Sequence, residues 1–291
     1  MVFFLQLVIS GAAVGSIYGL VAVGYSITYT TVKVLNFSQG QFVMLGAMIG
    51  LTFHVWWSWP LLPAIAASIL VLVALTLLVE RVSVRPFLSA ESMSWVLSTL
   101  AIGIIAENVA QLVWGREALP FPAAIRDQPI RWRGMGIYPQ ELLIIGASCA
   151  LMAALDLFYG RTVAGKALRA TAHDFDVASL MGIDVKAMVS VSFAISSALA
   201  AVGGILVAPI TLAESTMGNI LGLKAFAVAI IGGLDSPRGI FVCAVAYGVF
   251  EALCAGYIYP GIRDTLGFLL VILVLLFRPS GIFGRAQIEK V

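Results

Sequence analysis

Charge is the first thing this sequence lacks. Asp, Glu, Lys and Arg make up 11% of its 291 residues, less than half of the about 25% usual in soluble domains. Such scarcity excludes a solvent-facing globular surface. The apolar share of 61% and the mean hydropathy of +1.03 place the chain among integral membrane proteins. A net charge of +2 is too small to hold nucleic acid. Histidine is scarce too. His54 and His173 lie in different regions, and there is no H-E-x-x-H, H-x-x-E-H or G-x-S-x-G, so a metalloenzyme or a membrane hydrolase is unsupported. The three cysteines, Cys149, Cys243 and Cys254, all fall in apolar runs. They offer neither a disulfide framework nor a metal spacing and read as small packing residues. No charge occurs between Met1 and Val32. The basic region of a cleavable signal peptide is therefore missing, and this stretch reads as a retained first span.

What is present is a series of apolar runs, approximately 4–31, 42–58, 60–79, 95–114, 141–159, 187–208, 223–234, 239–258 and 266–277. Trp95 and Trp114 bracket the fourth, 19 residues apart. That is about 29 Å of helix, one hydrocarbon thickness with an aromatic at each interface. The runs 223–234 and 266–277 are too short to cross alone, so they are half-helices or spans completed by flanking residues. The fold class expected is an all-α integral membrane protein. It has about eight transmembrane helices plus broken or short half-helices, in a single domain over 1–291.

Lys and Arg set the orientation. The segments 33–41, 80–94, 160–186, 235–238 and 278–291 go to the cytoplasm with eleven Lys and Arg, including Arg85, Arg285 and Lys290. Six fall outside: Arg116, Arg126, Arg131, Arg133, Lys224 and Arg263. The loop 115–140, proline-rich and with four of those arginines, is the long outside segment. Nine crossings put the N-terminus outside and the C-terminus inside.

Gly11, Gly15 and Gly19 recur every four residues in the first run, a spacing that lets helices approach closely in lipid. "LNFSQGQFV" (35–43) and "LDSPRGIFV" (234–242) echo each other, which suggests a parallel internal repeat.

Polar residues inside spans are costly in lipid and mark candidate pathways. The fourth span carries Ser98, Thr99, Glu107, Asn108 and Gln111, with Glu107 and Gln111 one turn apart on one face. "NFSQGQ" (36–41) brings Asn36 and Gln39 to a span junction, either lining a cavity or capping helices. The translocation-pathway candidates are thus Asn36, Gln39, Ser98, Glu107, Asn108 and Gln111. Glu251 lies in the eighth run and Glu214 between spans.

The stretch from Gly165 to Lys186 is unlike the rest, because charges and small residues alternate over about six helical turns. Its start, "GRTVAGKA" (160–167), nearly matches a phosphate loop. However, Ala167 replaces the Mg²⁺-binding hydroxyl and a span precedes it instead of a strand. One face carries Ala167, Ala170, Val177, Ala178 and Met181, with Asp174 among them. It has few bulky anchors and balanced charge, so it suits a protein partner better than lipid headgroups.

"DVASLMG" (176–182) has the spacing of the E-A-A-x-x-x-G loop that ABC importer permeases present to their ATPase. Asp176 stands for the acid, Val177 and Ala178 for the alanine pair, and Gly182 for the glycine. Val177 departs from that pattern, and the downstream I-x-L-P is absent. "GSIYGLVAVGYSITYTTVKVLNFSQGQFVMLGA" (15–47), "ALRATAHDFDVASLMGID" (167–184), "GLKAFAVAIIGGLDSPRG" (222–239) and "RPSGIFG" (278–284) resemble LivH-type permeases of branched-chain amino-acid ABC importers, in the same order and over nearly the whole chain.

The resemblance implies a type II-like importer permease of the bacterial inner membrane, with no bond chemistry of its own. Its implied partners are a second related permease or a copy of itself, two cytoplasmic ABC ATPases and a periplasmic substrate-binding protein. The chain would bind no cofactor, ATP and Mg being used by the ATPases. It would carry branched-chain or other hydrophobic amino acids. Residues 160–186 would be the cytoplasmic coupling segment and 115–140 a periplasmic loop. Ala170, Asp174, Asp176, Val177, Ala178 and Gly182 would form the ATPase-coupling site, with Gly182 ending the helix. The other reading open at this point is a self-contained channel or secondary carrier for a small polar solute such as urea or an amide.

Overall fold

A computed structural model describes residues 2–87, 94–125, 128–132 and 135–284. The expected sidedness of Arg126, Arg133, Arg285 and Lys290 falls outside these residues. The long helices are α1 (Val2–Val32), α2 (Gln39–Leu51), α3 (Leu61–Val79), α4 (Ser94–Trp114) and α5 (Pro139–Arg161). Two short polar helices follow, α6 (Val163–His173) and α7 (Phe175–Leu180). The chain then forms α8 (Val185–Thr211), α9 (Met217–Gly232), α10 (Pro237–Tyr257) and α11 (Arg263–Phe277). Wider π-helical turns prolong α2 to Trp56 and α3 to Val84. A small antiparallel hairpin, β1 (Ile130–Trp132) and β2 (Met135–Ile137), lies in the loop before α5. Among the described residues, seven helices are long and apolar enough to cross a membrane, and α9 is a shorter apolar helix. Helices dominate because a chain in lipid must satisfy its own backbone groups. A 3-10 turn at Pro260–Ile262 and the first residues of α11 complete the short run at 266–277.

The core lies where α1, α2, α8, α9 and α10 pack together. Gly11, Gly15 and Gly19 all face α10. A Cβ on Gly15 would stand 2.5 Å from the Ala244 carbonyl oxygen, and one on Gly11 2.7 Å from that of Gly248. Backbones touch along this seam, as the four-residue spacing predicts.

The internal repeat is inverted rather than parallel, and it joins different segments from those the echo suggests. Helix α1 packs on α8 and α10, while α8 packs on α1 and α3. Val21 lies near Gly203 and Gly24 near Ser196, so α1 and α8 run antiparallel. Helices α2 and α9 meet at their starts. Gly40 and Gly218 lie backbone to backbone, each crowding the other's carbonyl oxygen. Thus α1–α4 correspond to α8–α11 with reversed direction, and Gly40-Gln41 pairs with Gly218-Asn219. The echoed segments are not equivalent. The first lies at the start of α9, whereas Ile240 of the second packs on Gly232 at its end, about 21 Å further along.

After Lys33, whose φ is 55°, the chain turns back into the bundle before α2 begins. This irregular backbone is tied down inside the protein. Asn36 Oδ1 accepts from the Ser38 amide at 3.1 Å, Ser38 Oγ donates to the Thr99 carbonyl at 2.5 Å, and Gln39 Nε2 donates to the Ser196 carbonyl at 3.2 Å.

Candidate functional site

Two half-helices that start inside the bundle bring their first turns together, and a polar chain forms there. Gln41, on the first turn of α2, donates through Nε2 to Asn219 Oδ1 of α9 at 2.8 Å. Asn219 Nδ2 donates to Glu107 Oε2 of α4 at 3.0 Å, and Gln111 Nε2 reaches Glu107 Oε1 at 3.4 Å. Gly103, one turn before Glu107, leaves room for the Gln41 side chain against α4. Glu107, Gln41 and Gln111 are half-buried and Asn219 is exposed, so the chain opens at the surface of the bundle. Below Asn219, the same face of α9 continues through exposed Leu223 to Phe226. The Phe226 ring lies 5.5 Å from that of Phe37 and 5.7 Å from that of Tyr25. A polar head thus stands above an apolar wall.

The structure joins two of the six expected pathway residues, Glu107 and Gln111, in this chain. Asn36 and Gln39 are fully buried in the anchor of the turn before α2. Ser98 Oγ donates to Ser83 Oγ at 3.1 Å, linking α4 to the end of α3. Asn108 is exposed and donates to its own helix at the Ile104 carbonyl, 2.8 Å away. It lies about 100° round the helix from Glu107, off the cluster. Sequence reading missed Asn219. Its signal is the match of Gly218-Asn219 to Gly40-Gln41, which an apolar run starting at 223 leaves out.

A second cluster is closed. Lys224 Nζ lies 2.8 Å from Glu251 Oε1 of α10 and 2.7 Å from Asp264 Oδ1 at the start of α11. Arg263 Nη2 meets Glu251 Oε2 at 2.9 Å, and Tyr18 OH of α1 donates to the same oxygen at 3.1 Å. Glu251 is 0% and Lys224 3% exposed. Lys224 was counted with the outside group at the start of the run 223–234 and lies buried within α9. Neutralisation by Glu251 and Asp264 lets a lysine occupy the interior of the bundle.

At one end of the bundle, the polar stretch forms two helices where one continuous helix was expected. Asp174 breaks it, with an extended backbone, and caps α7 by accepting from the Val177 amide at 2.9 Å. Gly182, with φ of 84°, ends α7 as expected. The Ile183 amide donates to the Ala178 carbonyl at 3.1 Å around it, the hydrogen bond of a Schellman cap. Ala170, Asp174, Asp176, Val177 and Gly182 are exposed, but Ala178 is 3% exposed. Ala178 turns inward onto the bundle, so the outward face passes to its neighbours. Leu180 and Met181 there are 86% and 78% exposed. The phosphate-loop look-alike is helix, since α5 runs through Arg161 and α6 starts at Val163. A cleft of about 670 Å³ lies behind α6, bordered by Arg169, His173, Asp156 and Arg238.

A family model described as the permease component of branched-chain amino acid transport systems matches residues 7–277. The high-affinity branched-chain amino acid transport system permease protein BraD of Pseudomonas aeruginosa is 33% identical, over 99% of this chain and 98% of its own length. The LivH proteins of the same description from Salmonella typhimurium and Escherichia coli K12 are 31% and 30% identical, each over 99% of this chain and 98% of theirs. A solved structure, PsaBC from Streptococcus pneumoniae in complex with Fab, matches in fold with a TM-score of 0.50 at 14% identity, covering 95% of this chain and 92% of that one. Seven spans, two half-helices meeting inside the bundle and this sequence match lead to one assignment: the chain is a multi-pass membrane protein of the branched-chain amino acid transport permease family.

Proposed function

We propose that this chain is the permease subunit of an ATP-driven, binding-protein-dependent ABC importer in the bacterial inner membrane, carrying branched-chain or other hydrophobic amino acids. Its partners are a second permease subunit, related or identical, two cytoplasmic ATPases that use ATP and Mg, and a periplasmic binding protein. In this reading α6 and α7 lie in the cytoplasm, within the coupling segment 160–186, and the loop 115–140 faces the periplasm. The chain makes and breaks no bond. It presents two cavity shapes whose relative stability the ATPases shift.

The observation that carries the reading is the α7 surface. Val177, Leu180 and Met181 form an apolar face outside the membrane-spanning bundle, left exposed by the described residues. Exposed apolar groups gathered on a short, capped element mark a protein contact. Ala170, Asp174, Asp176 and Gly182 frame that face, and Ala178 holds it against the bundle. The polar chain around Glu107 opens on the surface that a second permease would close into a cavity.

A Leu180→Asp variant tests this. It should fold and insert normally, fail to retain the ATPases on purification, and lose ATP-driven L-leucine uptake in proteoliposomes. L-Leucine uptake by the purified chain alone, without ATPase or ATP, contradicts the proposal and supports a self-contained carrier.

A further inference from the structure

We propose that Glu107 is the group on this chain that takes the α-ammonium of an amino-acid substrate during its passage, a proposal that rests on the transport reading above. An ionisable residue in a span costs energy in lipid unless something compensates its charge. Glu107 has two amide partners, Asn219 and Gln111, and no Lys, Arg or His among the described residues forms an ion pair with it. Amides hydrogen-bond a carboxylate but do not neutralise it.

Glu107 sits where two helix starts converge. The starts of α2 and α9 meet beside it, and neither has a side-chain cap. Helix N-termini carry partial positive charge from unpaired amides. Asn36 Nδ2 and Ser215 Oγ, buried just before these two helices, have no hydrogen-bond partner among the described residues. A carboxylate open at the bundle surface, with no cation paired to it among the described residues, can take one from elsewhere. The ammonium of a zwitterion supplies one. The apolar wall of Leu223, Phe226 and Phe37 beneath Asn219 suits an aliphatic side chain attached to it.

The test uses the whole importer, reconstituted with its ATPases and binding protein, and L-leucine as the probe. Glu107→Gln keeps the shape and one accepting oxygen and removes the charge. It should lower ATP-driven uptake about tenfold or more, the worth of a charged hydrogen bond. Assembly with the ATPases should be retained, and Glu107→Asp, which keeps the charge on a shorter stem, should recover part of the uptake. Uptake by the Glu107→Gln assembly close to that of wild type overturns the proposal alone. No ATP-driven uptake by the wild-type assembly overturns the transport reading and the proposal with it.

Discussion

Two polar clusters occupy the same bundle, only about 7.5 Å apart along α9 as counted from Asn219 to Lys224, yet they are built on opposite terms. Around Lys224, two cations face two carboxylates across α9, α10 and α11, and Tyr18 of α1 joins them. Around Glu107, one carboxylate meets amides from α4 and α9, and the α9 amide in turn meets Gln41 of α2. The first closes its charge inside the chain, and its central groups are buried. The second leaves a charge open and lies at the surface. In lipid a closed ion cluster serves as a clasp, whereas an open one needs a partner that the described residues do not supply.

The largest effect should come from breaking the clasp. Glu251→Gln leaves Lys224 and Arg263 with only Asp264 between them. Removing one partner of a buried pair costs about 3–5 kcal/mol, so the purified protein should show a sharply lower unfolding temperature and a low folded yield. Adding Lys224→Met balances the charge again, one cation against one carboxylate, and should restore most of the loss. Unaltered thermal stability of Glu251→Gln would remove the distinction between the clusters.

A smaller effect belongs to the open cluster. Asn219→Leu strips Glu107 Oε2 and Gln41 Nε2 of their shared partner. Stability should fall by about 1 kcal/mol, one hydrogen-bond equivalent, while L-leucine uptake drops severalfold. The least effect is expected just beside it. Asn108→Leu, off the cluster and exposed, should change stability by under about 0.5 kcal/mol and leave uptake as it was. Uptake lost in Asn108→Leu and kept in Asn219→Leu would put the pathway on the wrong face of α4.

The glycine seam of α1, the span between Trp95 and Trp114 and the shared face of Glu107 and Gln111 were legible because each depends on helical period alone. Lys224 was counted with the outside group because only the fold supplies the carboxylates that neutralise it inside α9. The inverted repeat escaped because it preserves packing more than letters. Gly40-Gln41 and Gly218-Asn219 match in two positions of like chemistry, while the longer match at 35–43 and 234–242 has no common place in the fold. Asp174 was read as one charge on a helix. Its bond to the Val177 amide makes it a cap, and that bend turns Ala178 inward.

The most direct test measures thermal unfolding and ATP-driven L-leucine uptake together for Glu107→Gln and Glu251→Gln in the reconstituted importer. The account predicts opposite outcomes for the same chemical change. Glu107→Gln keeps its unfolding temperature and loses uptake, whereas Glu251→Gln loses its unfolding temperature first. A stable, fully transporting Glu107→Gln, or a loss of stability in that variant matching Glu251→Gln, would contradict it.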